Sequence, residues 1–160
     1  MPDTAQARTP GYFRLLARFL RPFPDFDFSF INPVRAAAVR ALALRPGDRA
    51  LDVGCGPGGS LPFLRATVGD TGSVVSVEIS PVVAQLAEQR IARHGWQNVQ
   101  VQVAPAQTVA LDGEFDGLLM FAAPDDRPWI LWEPILVDLQ VREYFFGWMF
   151  LATGRLRQRA

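Results

Sequence analysis

Lysine is absent from this sequence, and its absence excludes both a lysine Schiff base and a lysine general base. The 16 strongly basic side chains are therefore all arginine, and 16 acidic side chains balance them, so the net charge is zero. A neutral chain has no general electrostatic attraction for nucleic acid. Because Cys55 is the only cysteine, an internal disulfide is excluded as well.

Long hydrophobic runs and a signal peptide are also missing from the sequence. Together with the lone cysteine, these absences predict a protein of the reducing cytoplasm. The 160 residues, 49% of them hydrophobic, predict a single globular domain with one core.

Histidine occurs only once, as His94, so no other histidine can act as a general base. His94 follows a predicted helix over residues 82–93 and precedes Gly95, a typical helix-terminating glycine. This end of the helix is remote from the carboxyl ends of the strands, where ligands bind in parallel sheets. We therefore interpret His94 as a capping or solvated residue rather than a catalytic base.

The chain is organised around residues 50–60, where an apolar run is followed by glycines and then by a helical pattern. This order predicts a strand, a tight turn and a helix start. Glycine permits a positive φ and the close approach of a ligand, and the N–H groups at a helix start suit a polar or anionic ligand. Gly54, Gly56 and Gly59 also fit the dinucleotide-binding pattern, so a nucleotide-dependent oxidoreductase is one alternative.

Two acidic residues favour S-adenosylmethionine over a dinucleotide. Asp52 lies just before the glycines at the end of the first strand, where a carboxylate would repel a pyrophosphate and attract an ammonium group. Glu78 lies in the next predicted strand, over residues 74–79, about 20 residues after the glycines. That is the distance expected for an acceptor of ribose hydroxyls.

The segments LDVGCGPG and VVSVEIS resemble the first two motifs of the class I (Rossmann-like) S-adenosylmethionine-dependent methyltransferases, and the resemblance covers about residues 45–124. It implies an α/β fold: a doubly wound, mostly parallel sheet with helices on both faces and a C-terminal antiparallel β-hairpin. It also implies S-adenosylmethionine as cofactor. The cofactor-binding residues that it assigns are Asp52, Gly54, Cys55, Gly56, Gly58, Glu78, Ile79, Ala106 and Gln107.

The resemblance implies separate roles for these residues, with Gly54, Gly56 and Gly58 around the methionyl moiety. Asp52 takes the methionine amino group, Glu78 takes the ribose hydroxyls, and Ile79 packs on the adenine face. In the family an acid after the third strand usually accepts the adenine amino group. This chain has no acid there, so we expect the N–H of Ala106 or the side chain of Gln107 to hold the adenine edge, with weaker binding of the cofactor.

Periodicity predicts helices over residues 34–44, 59–68 and 82–93, and strands over 50–53, 74–79, 98–103, 115–121, 141–146 and 148–153. The fifth strand that the family normally supplies is missing. We expect the closing hairpin to pair directly with the fourth strand, since an uncovered apolar strand would be prone to aggregation. We divide the single domain into an N-terminal cap segment (1–33), a cofactor-binding core (34–124) and a shortened C-terminal part (125–160).

The N-terminal cap segment combines an arginine-edged aromatic helix over residues 11–21 with a strand-like alternation of phenylalanine and polar residues over 23–30. Three interpretations compete for residues 11–30: peripheral contact with a membrane, a cap over a hydrophobic substrate site, or packing on the core. The phenylalanines favour an apolar or lipid-like acceptor. The shortened C-terminal part leaves the substrate side more open or dependent on a second subunit, as in a homodimer.

The sequence predicts an enzyme that transfers a methyl group by direct displacement to a small, apolar or lipid-like acceptor. Asp125 is the candidate that takes a proton from the acceptor, although Asp125 and Asp126 equally fit a solvated helix cap. A non-catalytic cofactor-binding or scaffold domain is the alternative. Isoaspartyl repair is a variant suggested by VVSVE and by AAPD after the fourth strand, but the front half of the chain does not match it.

Overall fold

The computed structural model describes residues 29–122, 136–144 and 149–156. A 3-10 turn at Ser29–Ile31 leads into the first helix. The helices are α1 (Asn32–Ala41), α2 (Leu61–Val68) and α3 (Pro81–His94). The strands are β1 (Arg49–Val53), β2 (Ser73–Glu78), β3 (Val99–Val103), β4 (Phe115–Ala122), β5 (Leu136–Tyr144) and β6 (Met149–Leu156). None of the described helices has the length and apolar character needed to cross a membrane.

The six strands form one sheet in the order β3-β2-β1-β4-β6-β5. β1 pairs in parallel with β2 and β4, and β2 pairs in parallel with β3. β6 pairs antiparallel with both β4 and β5, with Leu119 of β4 opposite Thr153. The mostly parallel α/β sheet is confirmed, and so is the expectation that the hairpin pairs directly with the fourth strand.

The hairpin is longer than the sequence predicts, because β5 begins at Leu136 and β6 continues to Leu156. The β5–β6 register shifts between Val137 and Gln140, and Asp138 within this stretch has a φ of 57°. A bulge of this kind interrupts the alternation of side chains, which is the signal used to find strands in a sequence. The predicted start at residue 141 is therefore wrong.

The two faces of the sheet carry separate apolar clusters, because successive side chains of a strand point to opposite faces. Ala50, Val74 and Leu119 belong to the first cluster, together with buried residues of all three described helices. Leu51, Val75 and Met120 belong to the second. In the described part of the chain, the loop after β3 and Leu139 of β5 pack against this second cluster. A short helix that the sequence suggests before residue 141, with Pro134 in its first turn, is wrong from residue 136 onwards, where β5 begins.

The N-terminal cap segment is described only from residue 29. Ser29 and Phe30 lie in the 3-10 turn rather than in the predicted strand, and Phe30 is 72% exposed. The chain must turn here because α1 begins immediately afterwards, with Pro33 in its first turn. The predicted helix at 11–21 and the rest of the predicted strand lie outside the described residues.

The two ends of α3 are capped in different ways. Gly95 caps the C-terminus in the left-handed conformation, with a φ of 66°, as predicted. His94 is exposed there and its ring stacks on Trp96 with centroids 4.6 Å apart. Ser80 is the N-cap residue, but its side chain makes no capping hydrogen bond. Its backbone N–H instead donates to the side chain of Glu78.

Candidate cofactor-binding site

The candidate site lies where β1 and β2 end side by side. The two strands run in parallel, so the residues at their carboxyl ends share one edge of the sheet. The glycine turn, which we define as residues 54–60, follows β1 and is fastened to β2. The N–H groups of Gly54 and Cys55 both donate to the carbonyl of Val77, at 2.8 and 3.2 Å. The structure thereby brings Asp52 and Glu78 together at the predicted position.

Glu78 connects the glycine turn to the start of α3. Its Oε2 accepts the N–H of Gly56 at 3.0 Å, and its Oε1 accepts the N–H of Ser80 at 2.9 Å. Burial raises the pKa of the Glu78 carboxyl, and these backbone hydrogen bonds oppose that rise. Each carboxylate oxygen has a second lone pair, so Glu78 can still accept hydrogen bonds from a ligand hydroxyl.

Asp52 is a buried carboxylate with an unsatisfied oxygen. The residue is 1% exposed, and its Oδ2 has no hydrogen-bond partner. Burial, opposed by the charge of Arg35 and reinforced by that of Glu78, raises the pKa of Asp52 to about 7. An unpartnered buried acceptor costs free energy that a bound donor can offset. The site therefore fits a ligand that carries an ammonium group, as S-adenosylmethionine does.

The glycines of the turn have different surroundings. Gly56 has a φ of 57°, and a Cβ added to it would meet no heavy atom within 4 Å. Gly58 has a φ of 82°, but a Cβ there would lie 2.8 Å from Leu61 and 3.2 Å from Ala87. Gly56 thus faces open space, whereas Gly58 makes room for the packing of α2 and α3. The predicted contacts of Gly54, Gly56 and Gly58 with the cofactor stay predictions.

Alanine substitutions at Gly56 and Gly58 form a matched pair, since both force a positive φ at a cost of about 1–2 kcal/mol. We expect Gly58→Ala to lower the free energy of unfolding by about 1–3 kcal/mol more than Gly56→Ala does, because only its Cβ is overpacked. Gly56→Ala should instead weaken the binding of S-adenosylhomocysteine to the folded protein. Urea unfolding and calorimetry check the two effects; equal destabilisation by both variants would contradict this assignment.

Cys55 directs its thiol away from the open side of the turn. The side chain is buried in the first apolar cluster. Burial, with the charges of Asp52 and Glu78, raises the pKa of this thiol well above its ordinary value. The thiol is therefore protonated and unreactive at neutral pH. A contact between Cys55 and the cofactor would have to come from its backbone, and it stays a prediction.

The residues assigned to the adenine lie at the ends of β2 and β3. Ile79 is partly exposed, and so is Val103 on the neighbouring strand. The N–H of Ala104 donates to the carbonyl of Glu78 at 3.1 Å, which fixes the loop after β3 beside this apolar surface. Ala106 is half-buried and packs on the second cluster, whereas Gln107 is exposed. Asp125 and Asp126 lie outside the described residues.

Two buried arginines beside the glycine turn were missed by sequence analysis. Arg35 of α1 lies against Gly59, and Nη1 of Arg90 in α3 donates to the carbonyl of Gly58 at 3.3 Å. For Arg35, the helical spacing of the sequence could have indicated burial. Arg35 lies on the buried stripe of α1 with Ala38 and Val39, so a charged residue occupies an otherwise apolar face.

Comparison with known proteins decides the family. The sequence model described as protein-L-isoaspartate(D-aspartate) O-methyltransferase (PCMT) matches residues 29–134, which is more than half of the chain. The chain belongs to the PCMT family. This membership confirms the resemblance to class I methyltransferases, and S-adenosylmethionine is the cofactor of that class.

Curated relatives of the PCMT family align over much of the chain. Protein-L-isoaspartate O-methyltransferase 1 of Archaeoglobus fulgidus is 29% identical over 93% of this chain and 67% of its own length. The Ignicoccus hospitalis enzyme of that family is 38% identical over 66% of this chain and 49% of its own length. The chain spans about half the length of most curated relatives that it matches.

Solved structures confirm the fold of this PCMT-family chain. A S-adenosylmethionine-dependent methyltransferase from Aquifex aeolicus superposes with a TM-score of 0.59 and 16% identity, over 93% of this chain and 99% of that one. An O-methyltransferase from Thermotoga maritima gives a TM-score of 0.60 and 15% identity, over 80% of this chain and 66% of that one. The predicted class of α/β fold is therefore confirmed.

Proposed function

We propose that this protein binds S-adenosylmethionine at the glycine turn and transfers its methyl group to the carboxylate of an isoaspartyl residue in a protein or peptide. The observation that carries the proposal is the unpartnered, fully buried Oδ2 of Asp52 beside that turn. Membership of the PCMT family supports the reaction class. The curated relatives are named for L-isoaspartate, which supports the acceptor.

Four of the described residues would hold the cofactor through their side chains in this proposal, with the backbone of Ala106 beside them. Asp52 accepts the ammonium group, and Glu78 accepts the ribose hydroxyls while it holds the turn through Gly56. Ile79 offers an apolar surface to the adenine, and Gln107 with the backbone of Ala106 offers polar groups for its edge. Bound there, S-adenosylmethionine supplies an activated methyl group that an acceptor oxygen takes by direct displacement, with S-adenosylhomocysteine as the leaving group.

A carboxylate acceptor changes what the protein must do on the acceptor side. An isoaspartyl carboxyl is ionised at neutral pH, so its oxygen is a nucleophile without prior loss of a proton. The protein then has to orient the two reactants and exclude water. The proposed reaction thus gives no general base to Asp125, whose predicted role stays untested. The comparisons do not support a lipid-like acceptor or a homodimer.

A non-catalytic cofactor-binding domain is the second candidate function. It is favoured by the direct pairing of β4 with β6, which leaves no strand between them in the position of the family's fifth strand. The shorter sheet provides less protein surface against which an acceptor could bind. This candidate predicts the same cofactor contacts without methyl transfer.

One experiment separates the two functions. The protein is incubated with methyl-labelled S-adenosylmethionine and a peptide that contains one isoaspartyl residue; the matched control peptide carries normal aspartate. We expect base-labile methyl ester on the isoaspartyl peptide alone. Binding of S-adenosylhomocysteine without any ester would support the non-catalytic domain. Binding of NAD in place of S-adenosylhomocysteine would contradict both functions.

A further inference from the structure

The glycine turn is surrounded by four buried charged side chains from four different elements. Asp52 and Glu78 contribute carboxyl groups, and Arg35 and Arg90 contribute guanidinium groups; all four are less than a tenth exposed. Removal of a charge from water is costly unless another charge or hydrogen bonds compensate it. The arrangement of these four groups therefore decides which carboxyl can stay ionised.

Glu78 and Arg90 have backbone partners in this arrangement. Both oxygens of Glu78 accept N–H groups, and Arg90 donates to the carbonyl of Gly58. Asp52 differs because its Oδ2 has no hydrogen-bond partner. Among the described residues, the titratable groups that act on Asp52 are Arg35 and Glu78, and Cys55 interacts with Asp52 in turn. Arg35 is the cation of this set.

Arg35 is held over the glycine turn by two features of the chain. Its Nη1 donates to Oδ1 of Asn32, one helical turn earlier, at 2.8 Å. A Cβ added to Gly59 would lie 2.5 Å from both Cζ and Nη2 of Arg35. Gly59 fits the dinucleotide-binding pattern in the sequence, but in the structure its missing side chain provides the space for this guanidinium.

We propose that Arg35 is a positioning residue of the cofactor site, and that its guanidinium, seated on Gly59, favours the carboxylate form of Asp52, which accepts an ammonium group. The inference rests on the proposed function for the identity of the ligand. The charge on Asp52 does not depend on that ligand, so it can be measured in the protein alone.

The direct test is a carbon-13 NMR titration of protein labelled in its aspartate carboxyls, with the Asp52 signal identified by its loss in Asp52→Asn. In Arg35→Met we expect Asp52 to take up its proton at a pH higher by about one unit or more. Arg35→Lys should restore most of the original titration, because it keeps the positive charge. Arg40→Met, an exposed arginine of the same helix, is the matched control and should change nothing.

Gly59→Ala is a second variant that tests the effect of Arg35 on Asp52, and it leaves every charge in the protein unchanged. Its Cβ would displace the guanidinium, so we expect the titration of Asp52 to shift in the same direction as in Arg35→Met. This variant also tests the proposal if Arg35→Met fails to fold. An unchanged titration in whichever of these two variants folds would overturn the proposal.

Binding of S-adenosylhomocysteine, measured by calorimetry from pH 6 to 9, gives the functional readout. We expect the affinity of Arg35→Met to recover at a higher pH than that of the original protein, and that of Arg40→Met to be unaltered. A uniform loss of affinity at every pH would indicate a merely structural role and overturn the proposal. If the unaltered protein binds no S-adenosylhomocysteine, the proposed function fails, while the NMR titration still decides the role of Arg35.

Discussion

Replacement of Asp52 by asparagine is expected to remove most of the pH dependence of stability between pH 4 and 7 while it weakens binding of S-adenosylhomocysteine. The pKa of Asp52 is raised from 3.8 to about 7 in the folded protein. The folded state therefore holds this proton more tightly than the unfolded state, so the free energy of unfolding falls as the pH rises through this range. The fall due to Asp52 is on the order of 4 kcal/mol.

Urea unfolding of the ligand-free protein at pH 4.5, 6 and 7.5 measures this effect. The variant should show a much flatter dependence, although Glu78 retains a contribution of the same sign because its pKa is also raised. Asp70→Asn, at an exposed aspartate, serves as the control and should keep the original slope. An equally steep slope in Asp52→Asn would show that this carboxyl is not buried as described.

The same Asp52→Asn variant should lose about 3 kcal/mol of binding free energy for S-adenosylhomocysteine, or roughly 100-fold in affinity at pH 8. The physical reason is that a neutral amide replaces the carboxylate that accepts the ammonium group. Adenosine, which has no ammonium group, is the discriminating ligand. Its affinity should be nearly unaltered, and an equal loss for both ligands would contradict the assignment of Asp52 to the amino group.

Glu78→Ala should weaken the binding of both S-adenosylhomocysteine and adenosine by about 1.5–3 kcal/mol, since the ribose is common to the two ligands. Part of this loss is structural, because the N–H groups of Gly56 and Ser80 both lose their acceptor. Glu78→Gln separates the two contributions, as its amide oxygen can replace one acceptor but carries no charge.

Calorimetry with the two ligands checks the Glu78 prediction, and Glu88→Ala on the exposed face of α3 is the control. If the affinity for adenosine is unchanged in Glu78→Ala, the ribose does not bind at Glu78. The affinity for adenosine is thus expected to fall in Glu78→Ala but not in Asp52→Asn. This difference distinguishes the roles of the two acidic residues without any assay of methyl transfer.

The sequence was sufficient to predict the central half of the fold and the place of both carboxylates. Parallel strands end at one edge of a sheet, so the spacing of Asp52, the glycines and Glu78 determines that they meet. The roles of Arg35 and Gly59 could not be predicted in this way. Helical spacing places Arg35 on the buried face of α1, but its contact with Gly59 depends on how α1 packs across the glycine turn.

The hairpin shows a second limit of pattern-based prediction. The irregular pairing between Val137 and Gln140 breaks the period of two, so the first residues of β5 carry no clear strand signal. Their place is fixed by main-chain pairing with β6, in which Leu136 lies opposite Leu156. Ser80 illustrates the same point at smaller scale, because its role depends on the side chain of Glu78 rather than on its own hydroxyl.

We call the line along which β4 pairs directly with β6 the seam of the sheet. On one side of it, helical crossovers connect the strands that carry the two carboxylates. On the other side, the hairpin is joined through the antiparallel β4–β6 ladder, in which Leu119 lies opposite Thr153. Ladder bonds use the main chain and tolerate many side chains. Substitutions at exposed positions beyond the seam, such as Gln140 and Arg142, can therefore reshape that flank of the molecule during evolution, while donor recognition is inherited intact.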